Sequence, residues 1–323
     1  MKTKIVYVLV SQESDFYYEM LLLSLHSLRL YHSREDTEVV VVMDQDTHTR
    51  LQEMRATLLK EITPLPVDVP SDYSIKQRSR YLKTNLRELL RGDFLYLDTD
   101  TVVYSSLEDV DRFEGDICAV LDNHTEQYIS DQINSLPKSL DWGCITKVKP
   151  YNSGVMYVKE SKKAHNFFLK WHENWKKSAS YNFNFDQPAL SKSIYDTNFL
   201  VHEISGIWNC QVRVEFSSQF LDTAKIIHYF TGWLNFQICN DALFLKIKYI
   251  GKMPDDVINL LLQSRQSFFK HYTLVSNQEE LLLNDMLASK KDYPLYFNFI
   301  IKLSSLHRSV RKALWRFRRK LVM

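Results

Sequence analysis

The stretch from Phe94 to Val103 constrains the fold more than any other part of the chain. An apolar run leads into Asp98, and a run of β-branched residues follows Asp100. The first run is typical of a parallel strand that is buried on both faces, because such a strand needs no alternation of polar and apolar residues. In an extended chain Asp98 and Asp100 lie on the same side, at the carboxyl end of that strand. The pattern predicts an α/β fold with a ligand site at this edge of the sheet.

The two carboxylates indicate a divalent cation. Adjacent carboxylates repel each other, and holding them together is costly unless a positive charge lies between them. Mg²⁺ and similar ions take oxygen ligands and keep coordination positions open for substrate phosphates. The alternative is a strand followed by an ordinary turn, in which aspartate serves only turn geometry. For a bare Asp-x-Asp the turn is the simpler explanation, so the surrounding sequence must decide.

The surrounding sequence predicts alternating strands and helices, which is typical of a doubly wound sheet. Strands are predicted at 5–10, 38–43, 94–97, 117–121, 151–158 and 225–228, with a further apolar strand after Asp100, and helices at 16–31, 47–59, 74–91, 162–177 and from 188 onward. Asn152-Ser153-Gly154 is predicted as a polar turn that opens a strand, and Ile207-Trp208-Asn209 as a strand-like stretch. The last strand places His228 at its end, where it becomes a candidate third metal ligand.

Composition and cysteine usage indicate the class of protein. The chain has 323 residues and 45% hydrophobic content, enough for one large core with an appended lobe. We expect a main domain over 1–250 and a helical region over 251–323. The four cysteines lack metal-site spacing, and the apolar stretch near Met1 is too short for a membrane span. These features predict a cytoplasmic protein.

The last 22 residues carry a strongly basic helical pattern. Eight of the 41 basic side chains fall after Ile301 with no acid among them, so 33 basic side chains face 39 acidic ones in the rest of the chain. Apolar residues recur there at helical spacing: 303, 306, 310, 313, 314, 317 and 321. This predicts a helix on an anionic membrane surface, peripheral on the inner face of the cytoplasmic membrane. The alternative is a helix packed on the body. Nucleic acid is a poorer partner, because the body is acidic and carries no recognition motif.

Taken in order, these motifs resemble family 8 of the glycosyltransferases, the retaining group that contains glycogenin and bacterial lipopolysaccharide galactosyl- and glucosyltransferases. The matching pieces run from about Ile5 to Gly232: the first strand with its polar loop, Leu97-Asp98-Thr99-Asp100, Asn152-Ser153-Gly154-Val155-Met156, Asp186-Gln187, Trp208-Asn209 and His228-Tyr229-Phe230-Thr231-Gly232. The resemblance implies a GT-A fold: a single Rossmann-like nucleotide-sugar-binding domain with a mixed central sheet, followed by a helical segment. It also implies transfer of a hexose from a UDP-sugar to a glycan or lipid-linked saccharide, in surface polysaccharide synthesis, with retention of the anomeric configuration.

The resemblance further implies roles for individual residues. Asp98, Asp100 and His228 would hold Mn²⁺ or Mg²⁺. The nucleotide, diphosphate and metal would be contacted by a larger set: Val10, Ser11, Tyr18, Arg80, Lys83, Asp98, Thr99, Asp100 and Gly232. The donor sugar and the reacting carbon would be surrounded by Asn152, Asp186 and Gln187.

One position departs from the family pattern. Many members carry a lysine that grips the diphosphate three residues after the glycine of the histidine motif, where this chain has Asn235. That function would then pass to Arg80 or Lys83. Two alternatives stay open: an inverting transferase with Asp122 or Asp186 as base, and a catalytically silent protein that only binds a nucleotide sugar.

Overall fold

The computed structural model describes residues 1–11, 16–54, 56–126, 135–211, 218–221 and 223–228. The region after residue 250 lies outside this range, so the domain division at 250 and the basic amphipathic tail stay predictions. Within the described residues, no helix is long and apolar enough to cross a membrane.

The strands of the described chain form two sheets. They are β1 (Lys4–Leu9), β2 (Val39–Asp44), β3 (Thr63–Val67), β4 (Phe94–Leu97), β5 (Thr101–Val103), β6 (Ile117–Leu121), β7 (Tyr151–Val158), β8 (His202–Glu203), β9 (Cys210–Gln211) and β10 (Ile226–His228). The larger sheet has the order β3-β2-β1-β4-β7-β6-β8. Strands β1 to β4 run parallel, whereas β7 runs antiparallel between β4 and β6. The sheet is therefore mixed, as predicted.

The smaller sheet has the order β5-β10-β9. Strand β10 runs antiparallel to β5 and parallel to β9. Its register sets His228 opposite Thr101 on one side and Gln211 on the other. The end of β10 is thereby fixed beside the residue that follows Asp100.

Helices cover both faces of the larger sheet. They are α1 (Phe16–Arg29), α2 (Gln45–Met54), α3 (Ala56–Leu59), α4 (Ile75–Thr84), α5 (Leu86–Leu89), α6 (Lys162–Ser180), α7 (Asp186–Thr197) and α8 (Ser218–Leu221). Alternate residues of β1 enter different cores: Val6 and Val8 pack with α4 and α6, whereas Tyr7 and Leu9 pack with α1. Burial on both faces explains why these strands are continuously apolar. The predicted α/β class with a mixed central sheet is confirmed.

Helix α4 is well defined at its start. Ser74 forms a capping box, in which its hydroxyl accepts from the Gln77 amide while the Gln77 side chain accepts from the Ser74 amide. The prediction of a single helix over 74–91 is wrong, because helix α4 ends before Asn85 and a separate short helix, α5, follows. Helix α4 carries Arg80 and Lys83, three residues apart and therefore on one face.

The strands predicted before Asp98 and after Asp100 are β4 and β5, which belong to different sheets with a turn between them. Two other local predictions are wrong. Residues Asn152 to Gly154 lie inside β7 rather than in a turn. Gly206–Trp208 forms a 3₁₀ turn, where the Ser205 hydroxyl accepts a hydrogen bond from the Ile207 amide. In each case pairing with distant strands or a local cap overrides the sequence pattern.

Candidate functional site

A turn, rather than an extended strand, brings the two aspartates of the central motif together. The amide and the hydroxyl of Thr101 both donate to the carbonyl of Asp98, at 3.2 and 2.8 Å. The Asp98 amide donates to the carbonyl of Gly154 in β7, at 2.7 Å. The turn redirects the chain from the large sheet into the small one at the carboxyl end of β4. Both carboxylates therefore meet at this edge, although not through the two-residue period of a strand.

His228 completes a cluster with these aspartates. Its Nε2 atom lies 3.2 Å from a carboxylate oxygen of Asp100 and 4.0 Å from one of Asp98. One ligand atom from each of the three residues falls within 4.8 Å of the others. The His228 side chain is 3% exposed, that of Asp100 13% and that of Asp98 21%, so the cluster opens to solvent on the aspartate side. Two carboxylates and an imidazole suit a divalent cation such as Mn²⁺.

Gly154 makes the close packing of this cluster possible. A Cβ atom at this position would lie 2.2 Å from Cε1 of His228 and 2.9 Å from a carboxylate oxygen of Asp98. Both distances are shorter than any normal contact, so only glycine lets the imidazole and the carboxylate rest against β7. The close approach that this glycine allows is that of two side chains of the cluster.

A second cluster of charges adjoins the first through Lys83. The Lys83 side chain is 2% exposed, and its ammonium lies 3.1 Å from Asp98 and 3.0 Å from Asp186. Arg80 Nε lies 2.9 Å from the other oxygen of Asp186, and the Ser153 hydroxyl donates to Asp186 at 2.8 Å. Lys83 thus forms ion pairs both with Asp98 of the first cluster and with Asp186 at the start of α7.

Asp186 is ionised in this setting. Burial alone would raise its pKa, but Arg80, Lys83 and the Ser153 hydroxyl together hold the pKa of this carboxyl well below its usual range. The opposite happens at Tyr96, where burial first and the neighbouring Asp98 second raise the pKa of the phenol. Tyr96 therefore stays protonated and donates its hydroxyl proton to Asp98.

The remaining predicted site residues lie around these clusters. Val10 and Ser11 follow β1, where the Ser11 amide donates to Thr47 at 3.0 Å. Tyr18 is buried in α1, and Thr99 occupies the turn after β4. Gln187 is the second residue of α7, directly after Asp186. Gly232 lies outside the described residues, as does Asn235. The roles of all these residues stay predictions.

Asn152, whose role beside the donor sugar stays a prediction, is buried and 3% exposed. Its amide oxygen accepts from the Gly154 amide and from Asn209, each at 2.9 Å, and its nitrogen donates to Asp122 at 2.9 Å. The Asn152 amide thus belongs to a buried hydrogen-bond chain that ends at His228.

Sequence reasoning did not give Asn209, Ser153 or Tyr96 a role in the site. Tyr96 could have been found from strand geometry, because it stands two residues before Asp98 and an extended chain places both on one side. Ser153 follows Asn152, and neighbouring strand residues point to opposite faces, so its bond to Asp186 depends on the tertiary fold. Asn209 belongs to the Trp208-Asn209 piece of the family resemblance, but its contact with His228 depends on the tertiary fold.

Comparisons with known proteins agree on one type of fold. A family model described as nucleotide-diphospho-sugar transferase matches residues 36–241. The galactosyltransferase LgtC, solved with donor and acceptor sugar analogues, superposes with a TM-score of 0.50 at 15% identity, over 71% of this chain and 87% of that one. This superposition shows a shared GT-A fold.

Two further solved structures resemble the chain more distantly. Mouse xyloside xylosyltransferase 1 in its apo form gives a TM-score of 0.49 at 14% identity, over 72% of this chain and 99% of that one. The apo bifunctional glycosyltransferase WbbM gives 0.48 at 16% identity, over 71% of this chain but 45% of that one, so the chain spans less than half of that protein. A comparison with curated protein sequences gives no match.

Proposed function

Because the chain belongs to the nucleotide-diphospho-sugar transferase family and is a glycosyltransferase, we propose that it transfers a hexose from a UDP-sugar to a glycan or glycolipid with retention of configuration. The proposal includes dependence on a divalent cation and membership of the family 8 type. The observation that carries it is the convergence of Asp98, Asp100 and His228 within 4.8 Å, at the carboxyl edge of the sheet.

The donor set of this cluster fits Mn²⁺. Carboxylate oxygens and one imidazole nitrogen together favour Mn²⁺ over Mg²⁺, which prefers oxygen ligands alone. The partly open aspartate side leaves room for phosphate oxygens. When bound, such a cation withdraws charge from the diphosphate leaving group and so favours cleavage of the sugar–phosphate bond.

Lys83 and Arg80 are suited to the diphosphate or to the donor sugar. Both project from one face of α4 toward Asp186, and both keep a fixed positive charge beside the cluster. An ammonium held in place before the reaction stabilises a leaving diphosphate without reorganisation. Many family members carry a phosphate-binding lysine at the position where this chain has Asn235. The position of Lys83 supports the proposal that it takes over this function.

The environments of the acidic residues favour retention over inversion. An inverting transferase needs a carboxylate that can take a proton from the acceptor hydroxyl. Asp186 is 5% exposed and is engaged by Arg80 and Lys83, which make it a very weak base. Asp122 is 3% exposed and accepts hydrogen bonds from Asn123 and Asn152. Neither fits the role of base, whereas a retaining front-face reaction passes the acceptor proton to the departing phosphate oxygen.

We propose that Asp186 and Gln187 act on the donor sugar. They open α7, whose start is held by a hydrogen bond from the Trp171 indole to the Asp186 carbonyl at 3.0 Å. A carboxylate fixed there stabilises positive charge that develops at the reacting sugar carbon. We assign Gln187 to the face of the sugar opposite the departing phosphate.

The acceptor is proposed to be a growing surface glycan or lipid-linked saccharide, as in lipopolysaccharide synthesis. The segment after Ile301 lies outside the described residues, so only its sequence supports this proposal. Its positive charge is suited to an anionic membrane surface, where a lipid-linked acceptor would lie. Placement on the inner face of the cytoplasmic membrane belongs to the same proposal.

A screen of UDP-, GDP-, CMP- and TDP-sugars for a thermal shift with and without Mn²⁺ identifies the donor. Proton NMR of the product formed from that donor then gives the anomeric configuration. Retained configuration supports the proposal, and inverted configuration contradicts it. A protein that binds the donor with Mn²⁺ but never releases UDP, with or without a saccharide acceptor, would be the silent binding protein instead.

A further inference from the structure

A chain of buried amides leads from Asp122 to the candidate metal ligand His228. Nδ1 of His228 lies 3.1 Å from the amide oxygen of Asn209, and Nδ2 of Asn209 lies 2.9 Å from the amide oxygen of Asn152. Nδ2 of Asn152 lies 2.9 Å from a carboxylate oxygen of Asp122. All four side chains are at most 3% exposed, so water does not compete for these bonds.

The direction of every bond in this chain is set at Asp122. The nitrogen of Asn152 donates to a carboxylate oxygen of Asp122, so Asn152 turns its oxygen toward Asn209. Asn209 must then turn its nitrogen toward Asn152 and its oxygen toward His228. The amide oxygen of Asn209 only accepts, so His228 must carry a proton on Nδ1.

A second contact fixes the same direction independently. The backbone amide of Gly154 donates to the Asn152 oxygen at 2.9 Å. If the Asn152 amide were reversed, two N–H groups would face each other inside the protein, which is strongly unfavourable. The orientation of Asn152, and through it that of Asn209, therefore does not depend on Asp122 alone.

We propose that Asn209 is a positioning residue that holds the His228 imidazole with its Nε2 lone pair facing Asp98 and Asp100. This inference rests on the proposed metal site. A histidine that binds a metal usually donates its other ring N–H to a fixed acceptor, which sets the tautomer and orients the ring. Asn209 supplies that acceptor here. Asn152, which was predicted to contact the donor sugar, holds Asn209 in place.

The test uses the full-length protein and measures Mn²⁺ affinity in the presence of UDP, from the electron paramagnetic resonance signal of free Mn²⁺. The variants are Asn209→Leu and Asn209→Ala, which remove the acceptor. His228→Ala serves as the reference for loss of the ligand itself. Asn174→Leu is the matched control, since Asn174 is a buried asparagine bonded to Ser193 and Asp196 in the α6–α7 contact.

The Leu and Ala variants should bind Mn²⁺ about 10- to 100-fold more weakly than wild type, the range found for residues that orient metal ligands. The Asn174→Leu control should bind Mn²⁺ as wild type does. Circular dichroism checks that each variant folds. One folded variant, Asn209→Leu or Asn209→Ala, is enough for the test.

Wild-type affinity in a folded Leu or Ala variant would overturn the inference. If His228→Ala itself keeps full Mn²⁺ affinity, the proposed metal site fails. If His228→Ala loses affinity while the Asn209 variants keep it, the positioning role alone fails.

Discussion

Nε2 of His228 lies 3.2 Å from a carboxylate oxygen of Asp100, although the two residues come from distant parts of the chain. The contact exists because β10 pairs with β5, which sets His228 opposite Thr101. Strands β5 and β10, each three residues long, thus bring the end of the described chain next to the turn that holds Asp98 and Asp100. A metal site at this junction would link the small sheet to the large one.

Replacing His228 by alanine should weaken Mn²⁺ binding and UDP binding together, each by at least about tenfold, because one lost ligand loosens both. Calorimetric titration of UDP with and without Mn²⁺ measures this. A purely structural histidine would behave differently. The variant would then melt at a lower temperature but keep its affinity for UDP with Mn²⁺.

Replacing Gly154 by alanine should also abolish Mn²⁺-dependent UDP binding. The added methyl group would lie 2.2 Å from the His228 ring, so the imidazole must move away from the aspartates. Gly143→Ala is the control, because an added Cβ there meets no atom within 4 Å. Equal UDP affinity in the two variants would contradict the packing described for Gly154.

His172 should make the protein less stable in mild acid. Burial lowers the pKa of His172 to about 4, and its Nδ1 lies 2.8 Å from the Thr84 hydroxyl. Between pH 6.5 and about pH 4 the unfolded chain therefore binds a proton that the folded protein does not, so stability falls as the pH decreases.

From pH 7 to pH 5 this one histidine should lower the free energy of unfolding by about 2 kcal/mol. Urea unfolding at both pH values checks this, with His172→Gln as the comparison. Glutamine does not titrate, so the variant should lose about 2 kcal/mol less than wild type over this pH range. An identical pH dependence in both proteins would show that His172 does not carry the effect.

The basic tail should bind anionic membranes. Each Lys or Arg near such a surface contributes roughly 1 kcal/mol, and salt screens this attraction. We expect the full chain to bind anionic vesicles at low salt, less at high salt, and hardly to bind neutral ones. A variant with Arg316, Arg318 and Arg319 replaced by serine should bind at least tenfold more weakly in cosedimentation.

The control for the tail removes the same number of charges from the body of the protein. Lys159, Lys162 and Lys163 are exposed around the start of α6. Their replacement by serine should leave vesicle binding unchanged. If the control loses as much binding as the tail variant, the tail has no special role.

The sequence predicted most of the large sheet because its strands are buried on both faces. A strand such as β2 is apolar from Val39 to Met43, and that signal survives without knowledge of its neighbours. The short strands β5, β9 and β10 were harder to place. They are two or three residues long, and only their pairing with one another defines them.

The candidate site was predicted in its residues but not in its connections. Asp98, Asp100 and His228 were chosen correctly as neighbours, although the aspartates meet through a turn rather than an extended strand. The links Lys83–Asp186 and Asn209–His228 could not be derived from the sequence, because no sequence pattern pairs these residues. Such contacts depend on how helices and loops pack on the sheet.

Titration of UDP into the protein with and without Mn²⁺, for wild type, Asp98→Ala and Asp100→Ala, tests the central claim most directly. Asp196→Ala serves as the control, because Asp196 is an exposed acid at the end of α7. Wild type and the control should bind UDP only when Mn²⁺ is present, and both site variants should stay folded, show no Mn²⁺-dependent binding and transfer no sugar. Metal-dependent UDP binding that survives in either site variant, or full sugar transfer in the presence of EDTA, would contradict the metal site at Asp98, Asp100 and His228.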